Sequence, residues 1–237
     1  MLRTTLGFAV LLAAPLAAQQ PARPWSLVTD LGFVNAAGNS DLTTLSLGEK
    51  LAYTAGPWTL GQTFGIVYSR SDGTTTANQL KGGVRADRKL SGVWGGYLLG
   101  NYERNRFAGI ARRFEEGAGL ALRAVQGPKN HLDFEAGVSL IQQRSTTDID
   151  QNFTAGRAAA SYKRSLTEAA YFQQQVEFLP NLEETDDYRL NSETSLVAPL
   201  AKSLALKLGY TIRFDNLPEP GFKKTDRIFT SGLQIAL

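Results

Sequence analysis

The sequence predicts an all-β fold, a single transmembrane antiparallel up-and-down β-barrel of about 12 strands, and three observations predict it. Apolar and polar residues alternate with period two along nearly the whole chain past Trp25, the mark of strands that present one face to each of two environments. Turn residues break the alternation at regular intervals, and short connections take turns with longer ones. An export signal precedes all of it.

Composition narrows the classes that remain. The chain has 237 residues, with no cysteine and one histidine. That removes disulfide frameworks, thiol nucleophiles, Cys-ligated metals and any site built on two imidazoles of one chain. The 25 basic and 22 acidic residues leave a formal net charge of +3, without the basic patch of a nucleic-acid binder. A mean hydropathy of −0.19 and the lack of any later apolar run of roughly 18 residues argue against membrane helices.

In chain order, residues 1–18 read as a secretory signal peptide and residues 19–237 as the barrel. Arg3 supplies the positive start, residues 6–14 (LGFAVLLAA) the short apolar core, and Pro15-Leu16-Ala17-Ala18 the small-residue cleavage site. Tight turns follow at Ala55-Gly56-Pro57, Leu90-Ser91-Gly92, Gly127-Pro128-Lys129-Asn130, Ser165-Leu166-Thr167-Glu168 and Pro199-Leu200-Ala201-Lys202. Longer polar connections fall between them, at residues 37–41, 71–76, 107–112, 146–151, 181–187 and 216–225. Residues 132–140 set Leu132, Phe134, Ala136, Val138 and Leu140 against Asp133, Glu135, Gly137 and Ser139. Residues 204–214 set Leu204, Leu206, Leu208, Tyr210, Ile212 and Phe214 against Ala205, Lys207, Gly209, Thr211 and Arg213. The last stretch keeps Phe229, Leu233, Ile235 and Leu237 in phase, with Ser231 interrupting. Strands of about 10 or more residues exceed the usual soluble length and suit a tilted crossing. Short turns and both termini then face the periplasm, and the six longer connections face outside.

In lipid every backbone amide must be paired, so such a sheet closes and turns its apolar faces outward. The expected location is the cell outer membrane. Trp25, Trp58 and Trp94 stand at strand starts on the short-turn side, joined by Tyr53, Tyr162 and Tyr171. Tyr68, Tyr102 and Tyr188, with Phe33 and Phe114, lie near strand ends on the other side. Two aromatic girdles follow from this distribution. Glu49 breaks the pattern, a carboxylate on the outward face of residues 45–53 that a bulge or a shifted register would explain.

The opposite faces put a charge network in the lumen: Lys50, Lys81, Arg85, Asp87, Glu103, Glu115, Arg123, Asp133, Glu135, Arg157, Glu177, Arg189, Glu193, Lys207 and Arg213, joined by Asp30 and Lys163. In a bore far narrower than a porin's, long side chains of opposite sign meet across it and pair. An unpaired buried charge costs several kcal/mol, so pairing is the expected outcome. Two readings result, a plug of ion pairs that holds the barrel round and a narrow, polar, weakly selective pore.

Two loop clusters carry further candidates. Glu183, Glu184, Asp186 and Asp187 share one long connection, where hard oxygen ligands could hold a divalent cation or simply be solvated. Arg104, Arg106, Arg112, Arg113, Lys223, Lys224 and Arg227 form a basic set on the same side, suited to lipopolysaccharide phosphates. A hydrolase would need a serine and a base near the outer leaflet. The lone His131 instead sits beside the Gly127–Asn130 turn, without a serine at useful spacing. Gly117-Ala118-Gly119 lies inside an alternating strand and so does not read as a nucleotide loop.

Six segments resemble a known family: residues 38–47 (GNSDLTTLSL), Gly56-Pro57-Trp58, 68–73 (YSRSDG), 102–109 (YERNRFAG), 179–194 (LPNLEETDDYRLNSET) and 220–226 (PGFKKTD). The likeness is to bacterial outer-membrane proteins often labelled salt-induced outer membrane protein, a domain-of-unknown-function family, and covers essentially the whole mature chain. The resemblance implies an outer-membrane barrel of Gram-negative type and a link to envelope salt response, with no catalytic residue or substrate. One departure is the C-terminus, Leu237 where such barrels commonly end in an aromatic residue. The expectation is thus a monomeric barrel without cofactor, with outer-membrane lipid, lipopolysaccharide and the barrel-assembly machinery as partners. An outer-membrane lipase or protease and a soluble periplasmic barrel that binds a small ligand are the alternatives.

Overall fold

The computed structural model describes residues 23–36 and 42–237. The expected signal peptide, residues 1–18, lies outside the described residues. Twelve strands follow in chain order: β1 (Trp25–Ala36), β2 (Leu42–Ala55), β3 (Trp58–Ser71), β4 (Thr74–Ser91), β5 (Trp94–Asn105), β6 (Ile110–Gln126), β7 (Asn130–Ser145), β8 (Asp150–Ser165), β9 (Tyr171–Pro180), β10 (Tyr188–Ala201), β11 (Leu204–Asp215) and β12 (Thr225–Ala236). Each pairs antiparallel with its sequence neighbours, and β1 pairs with β12, so the sheet is a closed barrel. Closure gives every strand a hydrogen-bonded neighbour on both sides, the condition that lipid imposes on a sheet.

Register runs unbroken enough to fix both faces. Leu60, Ala86, Leu98, Ala118, Val138 and Gly156 follow one another across β3 to β8 on the outward side, and Ala158 on the same face of β8 opposes Phe178 of β9. Large apolar side chains are accordingly exposed there: Leu98 is 59%, Val84 63% and Phe229 67% accessible. The inward set includes Arg85, Tyr97, Glu135, Arg157 and Glu177, all part-buried or buried. This core is polar where a soluble barrel would be apolar.

Four sequence expectations change. Residues 71–76 do not form a longer connection, because β3 and β4 are joined by Asp72 and Gly73 alone. Both have positive φ, 49° and 76°, the conformation of a two-residue hairpin turn for which Asp-Gly is well suited. On the short-turn side, β8 and β9 are joined by the five residues 166–170, so loop length does not cleanly separate the two ends. Glu49 needs no bulge: β2 pairs with β1 and β3 without a shift, placing Glu49 between Thr29 and Phe64 on the outward face. Tyr171, grouped with the girdle, faces inward instead, and its hydroxyl donates to Gln234 Oε1 at 3.0 Å.

The other aromatics stand at the two ends. Trp25 opposes Tyr53, and Trp58 and Trp94 begin β3 and β5 beside their turns, all four 40–47% exposed. Arg23 lies over the Trp25 ring and Arg88 over Trp58. Tyr162 sits at the same end, donating to Asn130 Oδ1 at 2.8 Å. At the opposite end Tyr102 packs on Phe114 with ring centroids 5.0 Å apart, and Tyr188 touches both Phe178 and Phe214. Tyr68, beside the Asp72-Gly73 turn, reaches Thr75.

Candidate functional site

The lumen charges fall into two clusters stacked along the bore. The lower one is built around Tyr97, which is 3% exposed. Its phenol lies across Gly119 of β6 and Gly137 of β7, where an added Cβ would stand 2.5 and 2.6 Å from the hydroxyl oxygen. Only glycine leaves room for this ring. Arg85 and Arg157 then flank the ring, 4.4 and 5.1 Å from its centroid, and Arg157 Nη1 donates to the phenol oxygen at 2.9 Å.

Three carboxylates close this cluster. Arg85 donates in fork fashion to Asp87 at 2.8–3.0 Å and to Glu135 at 2.7 and 3.1 Å. Arg157 gives 2.7 Å to Glu135 and 2.8 Å to Glu177. Glu177 also accepts from Asn191 at 3.1 Å. Bidentate, charge-assisted geometry of this kind makes the stronger class of ion pair. Two guanidiniums facing three carboxylates leave the lower cluster acid-rich.

The upper cluster reverses that balance. Glu103 of β5 is shared by Lys81 at 3.6 Å, Arg113 at 3.5 Å and Arg213 at 3.4 Å, with Gln79 donating at 2.9 Å. Arg189 pairs with Asp215 at 3.1 Å. Arg113 Nε and Arg189 Nη2 both donate to the Gln143 amide oxygen, at 2.7 and 3.5 Å. Four cations here meet two carboxylates and a neutral oxygen. Because β5 and β11 lie six places apart in a ring of twelve, the Arg213–Glu103 pair joins opposite walls.

Open space surrounds that bridge. An upper cavity of about 290 Å³ is lined by Lys81, Glu103, Arg113, Arg189, Arg213 and Lys223 among others. A lower one of about 550 Å³ is lined by Lys50, Arg85, Glu135, Arg157 and Glu193 among others. Thr63, Lys81, Asn101, Glu177, Asn191 and Arg213 line both. The connection at residues 216–224 reaches over the upper mouth: Glu219 accepts from Gln143 Nε2 at 3.3 Å, and its side chain crowds Gly109 in the β5–β6 connection.

The remaining predicted lumen residues lie on the inward registers without joining either cluster as expected. Lys207 and Gln234 both donate to Asp30, at 2.5 and 2.8 Å, near the lower rim. Glu115 accepts from Ser139 and Asn101 rather than from a cation. Arg123 stands opposite Asp133, which accepts from Gln126. Lys163 covers the Tyr171 ring at 4.1 Å. Lys50 and Glu193 make no ion pair within 4.0 Å among the described residues. Most pairs run along the wall between near strands, and the Arg213–Glu103 bridge is the one that crosses to the opposite wall among those described.

Sequence reasoning missed Tyr97, Arg113, Gln143 and Asp215. Arg113 falls in sequence among the basic loop residues, yet it faces the bore two residues before Glu115. The alternation of β6 already carried that signal. The acidic connection does not gather its carboxylates: Asp187 accepts from Asn181 at 2.9 Å, and Glu183 from the Thr154 amide at 3.1 Å. Among the described residues no three His, Asp or Glu side chains are placed to hold a metal ion. His131 opposes Lys163 and Gln126 near the lower rim, and its Nδ1 has no hydrogen-bond partner.

The model of a family described as "Protein of unknown function, DUF481" matches residues 29–236. No curated protein sequence matches the chain. Among solved structures, the NanC porin is similar at a TM-score of 0.50 and 10% identity, over 88% of this chain and 97% of that one. The KdgM porin in complex with disordered oligogalacturonate is similar at 0.50 and 9%, over 88% and 98%. The translocator domain of the autotransporter NalP from Neisseria meningitidis scores 0.46 at 15% identity, over 90% and 86%. Likeness to the two porins is one of fold, a closed antiparallel barrel of the outer-membrane kind.

Proposed function

The chain belongs to the DUF481 family, and from its geometry we propose that it is a narrow polar channel of the outer membrane. The observation that carries this is the pair of cavities that share six wall residues, among them Arg213, one partner of the cross-bore ion pair. A plug would fill the bore with contacts, whereas here Arg213 borders open volume in both cavities. Water and small ions pass the constriction beside two part-buried charges, with Lys50 and Glu193 supplying charge below it. The salt response that the family resemblance implies would be a role for this channel. Basic residues at the outer rim, such as Arg112 and Arg227, face lipopolysaccharide phosphates in this reading.

A structural barrel is the second reading, and the Arg85–Arg157 cluster favours it, since its short paired contacts brace β4 to β9. Reconstitution separates the two. Refolded protein in a planar bilayer is expected to carry steady ion current, and silence overturns the channel in favour of the brace. Fractionation tests the location: heat-modifiable protein in the outer-membrane fraction is expected, and recovery from the soluble periplasm contradicts it. Ester hydrolysis abolished by His131→Ala would overturn a non-enzymatic role.

A further inference from the structure

We infer that the upper cavity is a binding site for a small oxyanion, a carboxylate or a phosphate, seated among Arg113, Arg189 and Arg213. Three observations converge there. Glu103 is divided among three cations at 3.4–3.6 Å, long distances beside the 2.7–2.8 Å pairs of Arg157. Arg113 and Arg189 turn toward each other and share the neutral Gln143 oxygen, although like charges so placed repel unless an anion joins them. Arg189 is 7% exposed, lies over the Phe153 ring, and its Nη1 finds no hydrogen-bond acceptor in the fold. A buried cationic donor without an acceptor is a costly arrangement, and native structures retain such groups where they have a use.

The acids nearby do not fill this deficit. Asp215 is taken by Arg189 Nε, Glu115 by Ser139 and Asn101, and Glu177 by Arg157. Asp226, across from Arg213 on β12, lines the cavity but makes no ion pair within 4.0 Å among the described residues. Glu219 contacts Gln143 through the amide nitrogen, on the side away from the shared oxygen. A planar carboxylate or a tetrahedral phosphate supplies the several acceptor oxygens these forks can address. The cavity of about 290 Å³ holds a small solute rather than an oligomer.

This deepens the channel reading by naming a solute class, and it rests on that reading for how the solute arrives. Calorimetry on the refolded full chain in detergent, titrated separately with malonate and with inorganic phosphate at low salt, tests it. Saturable binding is expected, weakened by about tenfold or more in Arg189→Gln and Arg113→Gln, and unchanged in Lys202→Gln on the far turn. Malonate alone binding identifies a carboxylate site, and phosphate alone a phosphate site. Gln143→Glu, which builds an anion into the wall, is expected to abolish binding while heat-modifiable mobility shows a folded barrel. No binding by the parent protein, or binding indifferent to all three site variants, overturns the inference. Binding by a barrel that carries no current would leave the site and remove the channel, whereas current without binding would do the reverse.

Discussion

The two clusters use the same residue types to opposite ends. Around Tyr97, two arginines donate to three carboxylates and a phenol, at distances down to 2.7 Å. Around Glu103, one carboxylate serves three cations at 3.4 Å and beyond. Removing one member of a satisfied buried network strands its partners, whereas removing one of three shared cations strands nothing. The lower cluster is therefore the tightly paired one of the two and the upper the loosely paired one.

Variants on both sides sharpen the contrast. The largest effect belongs to Arg157→Gln, which leaves Glu135 and Glu177 without a shared cation and should cost about 3–5 kcal/mol. Its thermal unfolding in detergent should drop well below that of the parent, and an unchanged melting point would remove the brace. Tyr97→Phe deletes the acceptor facing Arg157 and is expected to lose about 2 kcal/mol, measured in the same way. Lys81→Gln leaves Glu103 with two cations, so stability should change by no more than about 1 kcal/mol. A loss equal to that of Arg157→Gln would erase the distinction between the clusters. Smallest of all, Lys50→Gln should move stability by within about 0.5 kcal/mol, yet shift the reversal potential toward cation preference by removing a positive wall charge.

Much of this barrel was legible in the residues. The alternation of Leu204 to Phe214 foretold β11 and its inward Lys207 and Arg213, because a period of two leaves little freedom once one face is assigned. The turn at Asp72-Gly73 looks longer in sequence than it is, since the polar run that follows resembles a connection although β4 already begins at Thr74. Which inward charges meet was not legible. Partnership across strands depends on stagger, which sets Arg85 beside Glu135 three strands away and Arg213 against Glu103 on the far wall. Tyr97 was hidden for a related reason: its place depends on Gly119 and Gly137 from two other strands, and no local pattern ties the three together.

Single-channel conductance of Arg213→Ala beside the parent protein tests the division most directly. Shortening this side chain removes the bridge between opposite walls while Lys81 and Arg113 still hold Glu103. A larger unit conductance is expected, with a melting point close to the parent's. Equal conductance, or silence in both proteins, would contradict it.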